Sequence, residues 1–76
     1  MKVQVLDIVV LTKDIPSHGL RKGDLGAVVD AYDPDGIEVE FVTGSGRTRA
    51  LVTLKIDDVR LVSETDILAV RSVDAA

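Results

Sequence analysis

The sequence predicts an all-β fold, a small and strongly bent antiparallel barrel of five short strands. Three features lead to this prediction: apolar runs rich in Val, Leu and Ile, turn residues at close spacing between those runs, and one long polar loop early in the chain. A chain of 76 residues has material for only one hydrophobic core. We therefore assign residues 1–62 to the barrel and residues 63–76 to a C-terminal tail, predicted as a short helix.

The first two strands flank the long loop. The apolar run at residues 7–12 predicts a buried strand, and the alternation of residues 1–5 predicts its extension along a sheet edge. Residues 23–30 combine turn residues with a β-prone run, so a second strand is expected over residues 25–32. Gly26 within that strand predicts a bulge or a close approach of the preceding strand.

The loop at residues 13–24 contains one Pro and two Gly that forbid regular pairing. Ile15 and Leu20 are its only large apolar residues, and we expect them to pin the loop to the barrel. Long loops in compact domains often carry function, so this loop is the first place to look for binding. Its polar tip, expected in solvent, consists of Ser17, His18, Arg21 and Lys22.

A hairpin is predicted next. The sequence Asp-Pro-Asp-Gly at residues 33–36 has strong turn chemistry, and the strand after it alternates cleanly. This alternation directs Ile37, Val39 and Phe41 to the core, and Glu38 and Glu40 to water.

The fourth strand is predicted over residues 47–54, after the turn at residues 43–46. Its inner face would carry Ala50, Val52 and Leu54, and its outer face Arg47 and Arg49. We expect the two arginines to lie across from Glu38 and Glu40, in cross-strand contacts of roughly 0.2–1 kcal/mol each.

The chain ends with a predicted helical turn at residues 56–59, a closing strand at residues 59–62 and the tail. Ser63 is a good helix N-cap, and Arg71 falls where positive charge suits a helix end. A narrow apolar stripe would consist of Ile67, Leu68 and Val70. A helix of about ten residues is marginal alone, so it would dock on the barrel, dock on a partner, or fray.

Four blocks of sequence resemble a known family when their order and spacing are taken together. The blocks lie at residues 7–12 and 15–20, at residues 23–29, at residues 39–41 and at residues 51–54. They are similar to a group of small bacterial proteins catalogued as a domain of unknown function, number 4926. The resemblance covers roughly residues 6–62; it implies an SH3-like barrel and no activity. Residues 23–29 also resemble the glycine-bearing strand of KOW segments in ribosomal and transcription-factor barrels.

Composition narrows the function classes. The chain has no Cys, which removes disulfides, thiolate metal sites and thiol nucleophiles. Its net charge is −4 and its nine bases are dispersed, so nucleic acid is an unlikely partner. Charge interrupts the first residues, and we expect neither a signal peptide nor a membrane span, which places the protein in the cytoplasm of a microbe.

We predict no enzyme, no metal site and no cofactor. His18 is the only histidine, so the chain cannot supply a pair of histidines to a metal ion. The sequence also gives no support for a Ser-His-Asp catalytic set. The acids at residues 33–38 lack the later bidentate Glu of a calcium loop and suit a hairpin turn better, and Asp57-Asp58 suits a turn and cap. Residues 44–47 could hold an anion, but a strand rather than a helix follows them.

The sequence therefore favours a non-enzymatic module that binds an unidentified protein through residues 13–24 and the barrel edge, with the tail as a further candidate contact. A more specific hypothesis is an antitoxin- or immunity-like protein whose acidic surface covers a basic toxin. The alternative is a KOW-like barrel with basic residues on nucleic-acid phosphates. The candidate contact residues are His18, Arg21, Lys22, Arg47 and Arg49.

Overall fold

The computed structural model describes residues 3–73 and confirms an all-β fold with five antiparallel strands in one sheet. Three-residue 3-10 turns, Pro16–His18 and Ile56–Asp58, lie in the connections before β2 and β5. The strands are β1 (Ile8–Leu11), β2 (Leu25–Tyr32), β3 (Gly36–Val42), β4 (Thr48–Lys55) and β5 (Val59–Leu61).

The strand order is β4-β3-β2-β1-β5, so β4 and β5 are the two edges and the sheet is not closed as the predicted barrel would be. β4 and β5 follow each other in the chain, but the short turn between them directs β5 onto β1. The predicted hairpin joins β2 to β3, with Tyr32 opposite Gly36 and a cis peptide bond between Asp33 and Pro34.

The core is built from the side chains that alternate toward one face of the sheet. The prediction for the third and fourth strands is confirmed: the named residues of β3 are buried, and those of β4 are buried or packed on the core. Because the core is almost wholly aliphatic, its stability comes from burial of apolar area. Its fully buried members are Val9, Leu11, Val28, Ile37 and Val39.

The sequence predicted a bulge or a close approach of the preceding strand at Gly26, whereas the structure brings side chains of the following strand close to it. A Cβ at this position would lie 2.5 Å from Val39 Cγ1 and 2.9 Å from Phe41 Cε1, so two core side chains occupy the space above the glycine. The close neighbours are therefore side chains of β3. The irregularity of β2 lies farther along, where the register with β3 shifts between Val28 and Asp30.

The long loop is pinned by its two apolar residues, as predicted. Ile15 and Leu20 form an isolated antiparallel bridge; Leu20 is buried and Ile15 packs against the core. Between them lies the 3-10 turn, followed by Gly19 in the left-handed region at φ 67°. The Asp24 carboxylate accepts a hydrogen bond from Arg21 N at 2.8 Å. The loop is thus tied at both ends, and its polar tip lies in solvent.

The N-terminal segment differs from the predicted edge extension. Residues 3–7 form a turn in which Gln4 N donates to Asp7 Oδ2 at 2.8 Å, and the strand starts at Ile8. Val3 is buried in the core cluster. The turn directs this side chain inward, so the segment covers the core and adds no length to β1.

The predicted pairing of Arg47 and Arg49 with two glutamates is wrong. In the β3–β4 register Thr53 lies opposite Glu38 and Leu51 opposite Glu40, and Arg47 precedes the strand. Threonine hydroxyls take the expected place of the guanidinium groups. The hydroxyl of Thr53 donates to Glu38 Oε1 at 2.6 Å, and the hydroxyl of Thr48 donates to Glu40 Oε2 at 2.5 Å.

The helix predicted for residues 63–76 is wrong over residues 63–73, which contain a turn at Glu64–Thr65 followed by irregular chain. The last three positions of that prediction lie outside the described residues. Asp66 folds back on Ser63, whose N donates to Asp66 Oδ2 at 2.7 Å. Among the described residues, no helix is long and apolar enough to cross a membrane.

Candidate partner-binding surface

Residues 62–73, here called the C-terminal strap, are held first by an ion pair with β5. Arg60 reaches Asp66 with both terminal nitrogens, at 2.8 and 3.0 Å from the two carboxylate oxygens. Two parallel hydrogen bonds of this kind fix orientation as well as distance. The pair anchors the strap shortly after it leaves the sheet.

A second ion pair of opposite polarity holds the far end of the strap. Arg71 donates from Nε to Asp24 Oδ1 at 2.8 Å and from Nη2 to Asp24 Oδ2 at 2.6 Å. The same Nη2 donates to the Gly19 carbonyl at 3.0 Å. The strap is therefore tied to the long loop, 47 positions away in the chain.

Both carboxylates are shifted toward the charged form. The hydrogen bond from Arg71 holds the pKa of Asp24 below the ordinary carboxyl value of 3.8, against the opposing effect of partial burial. The hydrogen bond from Arg60 and the Ser63 backbone lower the pKa of Asp66. Each ion pair is therefore complete at neutral pH and depends on an ionised carboxylate.

Val10 lies in β1, between the strand that follows Asp24 and the strand that carries Arg60. This residue is 8% exposed, although its neighbours in β1 point into the core and Val10 is not part of the core cluster. It pairs with Leu25 on one side and Arg60 on the other. The five steps from Asp66 to Arg71 span at most about 17 Å, enough to cross two strand spacings of about 10 Å in total. We infer that the strap covers this valine.

Three aliphatic side chains of the strap face solvent. Ile67 is 92% exposed, Leu68 67% and Val70 101%. They lie between the two ion pairs, on a segment held against the sheet at both ends. An anchored segment with exposed aliphatic side chains is a candidate contact surface.

A cleft of about 470 Å³ opens beside the end of the strap. Leu25, Phe41 and Val42 form an apolar wall, and the strap closes the other side with residues 69–73. The charged residues that line the cleft are Asp24, Arg49 and Arg71. Since Asp24 and Arg71 form an ion pair, Arg49 contributes the remaining charge.

The structure brings only one of the five predicted contact residues into this cleft. Arg49 lines it, with Nη2 2.8 Å from the point where a Cβ of Gly19 would lie. The other four are exposed outside it. His18 ends the 3-10 turn, Arg21 and Lys22 lie on the loop, and Arg47 lies in the β3–β4 turn.

Sequence reasoning missed the residues that hold the strap. The sequence predicts a helix-end charge at Arg71 and gives no partner for Asp24, because their contact joins distant positions and has no local signal. Asp66 lies in the tail predicted as a helix, although an Arg six positions earlier is available to bind it. That spacing is the one hint in the sequence.

Within residues 3–73, no group of three or more His, Cys, Asp and Glu residues could hold a metal ion. The carboxylates of the surface instead accept hydrogen bonds from backbone amides, hydroxyls and guanidinium groups. Asp14, for example, accepts from Lys22 N at 2.8 Å, and Asp58 accepts from Lys55 N at 3.1 Å. These carboxylates have structural roles in turns and caps.

Comparisons with known proteins address the family and not the activity. Neither the curated proteins nor the solved structures gave a match. One family model matches residues 5–61, which include all five strands and the long loop but end before the strap. Since this match covers well over half of the chain, the protein belongs to the family described as Domain of unknown function (DUF4926).

Proposed function

We propose that the chain is a non-enzymatic protein-binding module whose contact surface includes the C-terminal strap and the long loop beneath it. The observation that carries this proposal is the exposure of Ile67, Leu68 and Val70 on a segment fastened at both ends. The family resemblance favours an SH3-like bacterial accessory protein as the form of this proposal, and we propose a cytoplasmic location for it.

The energetics of the strap favour a partner. Ordering the backbone costs about 1–2 kcal/mol per residue, and the three exposed aliphatic side chains return nothing to the core. Burying each of them against another protein would stabilise the complex by about 1.5–3 kcal/mol. The strap is therefore best explained as a surface that completes its packing on binding.

The proposal is tested by capture from the native host with tagged protein. The triple variant Ile67→Ser, Leu68→Ser, Val70→Ser should lose a stoichiometric partner that the wild-type protein retains. The control is the double variant Val5→Ser, Val29→Ser, which removes exposed valines away from the strap and should retain the partner. Absence of any stoichiometric partner, or equal capture by the triple variant, would contradict the proposal.

An antitoxin- or immunity-like role is a narrower form of the proposal. It rests on the net charge of −4, which would complement a basic toxin surface. Expression of the neighbouring gene alone should then be toxic, and co-expression of this chain should relieve that toxicity. A harmless neighbour would remove the support for this narrower role.

Nucleic-acid binding is the second candidate, and the proximity of two guanidinium groups to Gly19 is the observation that favours it. Phosphate contacts by Arg21, Lys22, Arg47 and Arg49 would give binding that weakens steeply with salt. A gel shift with RNA at low ionic strength tests this candidate, and no shift would reject it.

A further inference from the structure

We propose that the cleft beside the strap binds an acidic, aliphatic segment of a partner protein, with a carboxylate against Arg49 and an aliphatic side chain against the apolar wall. This inference rests on the proposed protein-binding function and assigns it a site and a ligand chemistry. The cleft volume of about 470 Å³ lies in the range of small ligand pockets and suits a few side chains.

The local charge is the first step of the argument. Gly19 lies between two guanidinium groups: Arg71 donates to its carbonyl at 3.0 Å, and Arg49 Nη2 lies 2.8 Å from its Cβ position. Asp24 neutralises only one of them. Within residues 3–73, no ion pair or side-chain hydrogen bond joins Arg49 to another group. The cleft therefore has a local charge of +1 in a chain with a net charge of −4.

Arg49 has the chemistry to bind a carboxylate. A guanidinium presents a planar fork of donors that matches a carboxylate, and it remains charged at all physiological pH values. The Arg49 guanidinium lies in the space that the missing Cβ of Gly19 leaves open, since Cζ and Nε are within 4.0 Å of that Cβ position.

The apolar wall distinguishes a peptide from a phosphate-bearing ligand. Leu25 and Val42 are both at least one-third exposed, and Phe41, the third residue of the wall, belongs to the core cluster. A phosphate or an RNA backbone would gain nothing from this wall, since affinity for phosphates comes from several basic contacts. An aliphatic side chain next to a carboxylate uses both parts of the cleft.

The test is a fluorescence anisotropy titration of the full chain with a terminally blocked, labelled hexapeptide of alternating glutamate and leucine. The matched peptide replaces glutamate by glutamine. We expect saturable binding of the acidic peptide and at least tenfold weaker binding of the neutral one. Arg49→Gln should weaken the acidic peptide at least tenfold, and Val42→Ser at least threefold. Lys55→Gln removes an equal charge at the far end of β4 and should change the affinity less than twofold.

Three outcomes would overturn the proposal. The first is no binding of the acidic peptide below about 1 mM, and the second is equal binding of that peptide by Arg49→Gln. The third is displacement of the peptide by inorganic phosphate or a short oligouridylate at a lower concentration than by unlabelled peptide. A matching thermal midpoint of the variants shows that they fold. If the cleft fails but the strap variant still loses its partner, the proposed function stands without this site.

Discussion

The two segments that flank the sheet differ in what they contribute to the core. The N-terminal segment, residues 3–7, buries Val3 to 6% exposure and leaves Leu6 81% exposed, whereas the strap leaves Val70 fully exposed and contributes no residue to the core cluster. Both segments are tied down by polar contacts: Leu6 N donates to the Val28 carbonyl at 2.7 Å, and Arg71 binds Asp24. The first segment is therefore anchored in the core by one side chain, and the second lies on the surface.

The strongest test of this difference introduces a charged side chain into each of the two segments. Val3→Asp places a carboxylate in an aliphatic core and should cost about 3 kcal/mol or more of unfolding free energy. Val70→Asp adds the same charge in solvent and should change the stability by less than about 0.5 kcal/mol. Urea denaturation of both variants measures the difference, and equal midpoints would contradict the assignment of these segments.

A milder pair of substitutions sharpens the same comparison. Val3→Ala removes buried methyl groups and should destabilise the fold by about 1–3 kcal/mol. Val70→Ala removes methyl groups that contact no core residue and should have almost no effect on the urea midpoint. A loss of stability in the second variant would show that the strap packs its aliphatic residues after all.

Loss of the ion pair between Arg71 and Asp24 should release the end of the strap without unfolding the sheet. Asp24→Asn removes the carboxylate that Arg71 binds, so trypsin should cleave after Arg71 several-fold faster than in the wild-type protein. Asp33→Asn, in the exposed hairpin turn, removes an equal charge and serves as the control. Limited proteolysis followed by mass spectrometry reports the cleavage site. Unchanged cleavage in Asp24→Asn would argue against the ion pair as the anchor.

The smallest effect should come from acidification. Because the pKa of Asp24 is lowered in the folded chain, its ion pair stabilises the docked strap above the ordinary carboxyl pKa of 3.8. This stabilisation is lost as the pH falls through the lowered pKa. Amide chemical shifts of Ala69 and Ser72, followed by NMR between about pH 6 and pH 2, should move only in the acidic part of that range. A transition near neutral pH would contradict this assignment.

The strands were predictable because their signals are local. Alternation in β3 and β4 places apolar residues on the buried face, and turn chemistry at residues 33–36 gives the hairpin. Ile15 and Leu20 were predictable as loop anchors for the same reason, since a polar loop offers few other apolar residues to the core. Gly26 was informative because only a residue without Cβ fits beneath Val39 and Phe41.

The strap was not predictable because contacts between distant residues determine it. A helix of about ten residues has little intrinsic stability, and in the structure the segment is irregular chain held by two ion pairs, one with the sheet and one with the loop. The β3–β4 register likewise placed Thr53 and Leu51, and not arginines, opposite the β3 glutamates. Arg49 is the only predicted contact residue that lines the cleft. The contacts of Arg71 with Gly19 and Asp24 were not predictable, because they depend on tertiary structure.

The alternating polarity of the two ion pairs has a consequence for recognition. In the pair of Arg60 with Asp66, the base lies in the sheet and the acid lies in the strap. In the pair of Arg71 with Asp24, the base lies in the strap and the acid lies in the loop. A shift of the strap along its length would separate both pairs. One alignment satisfies the two pairs together, so the aliphatic side chains between them are presented to a partner in a single register.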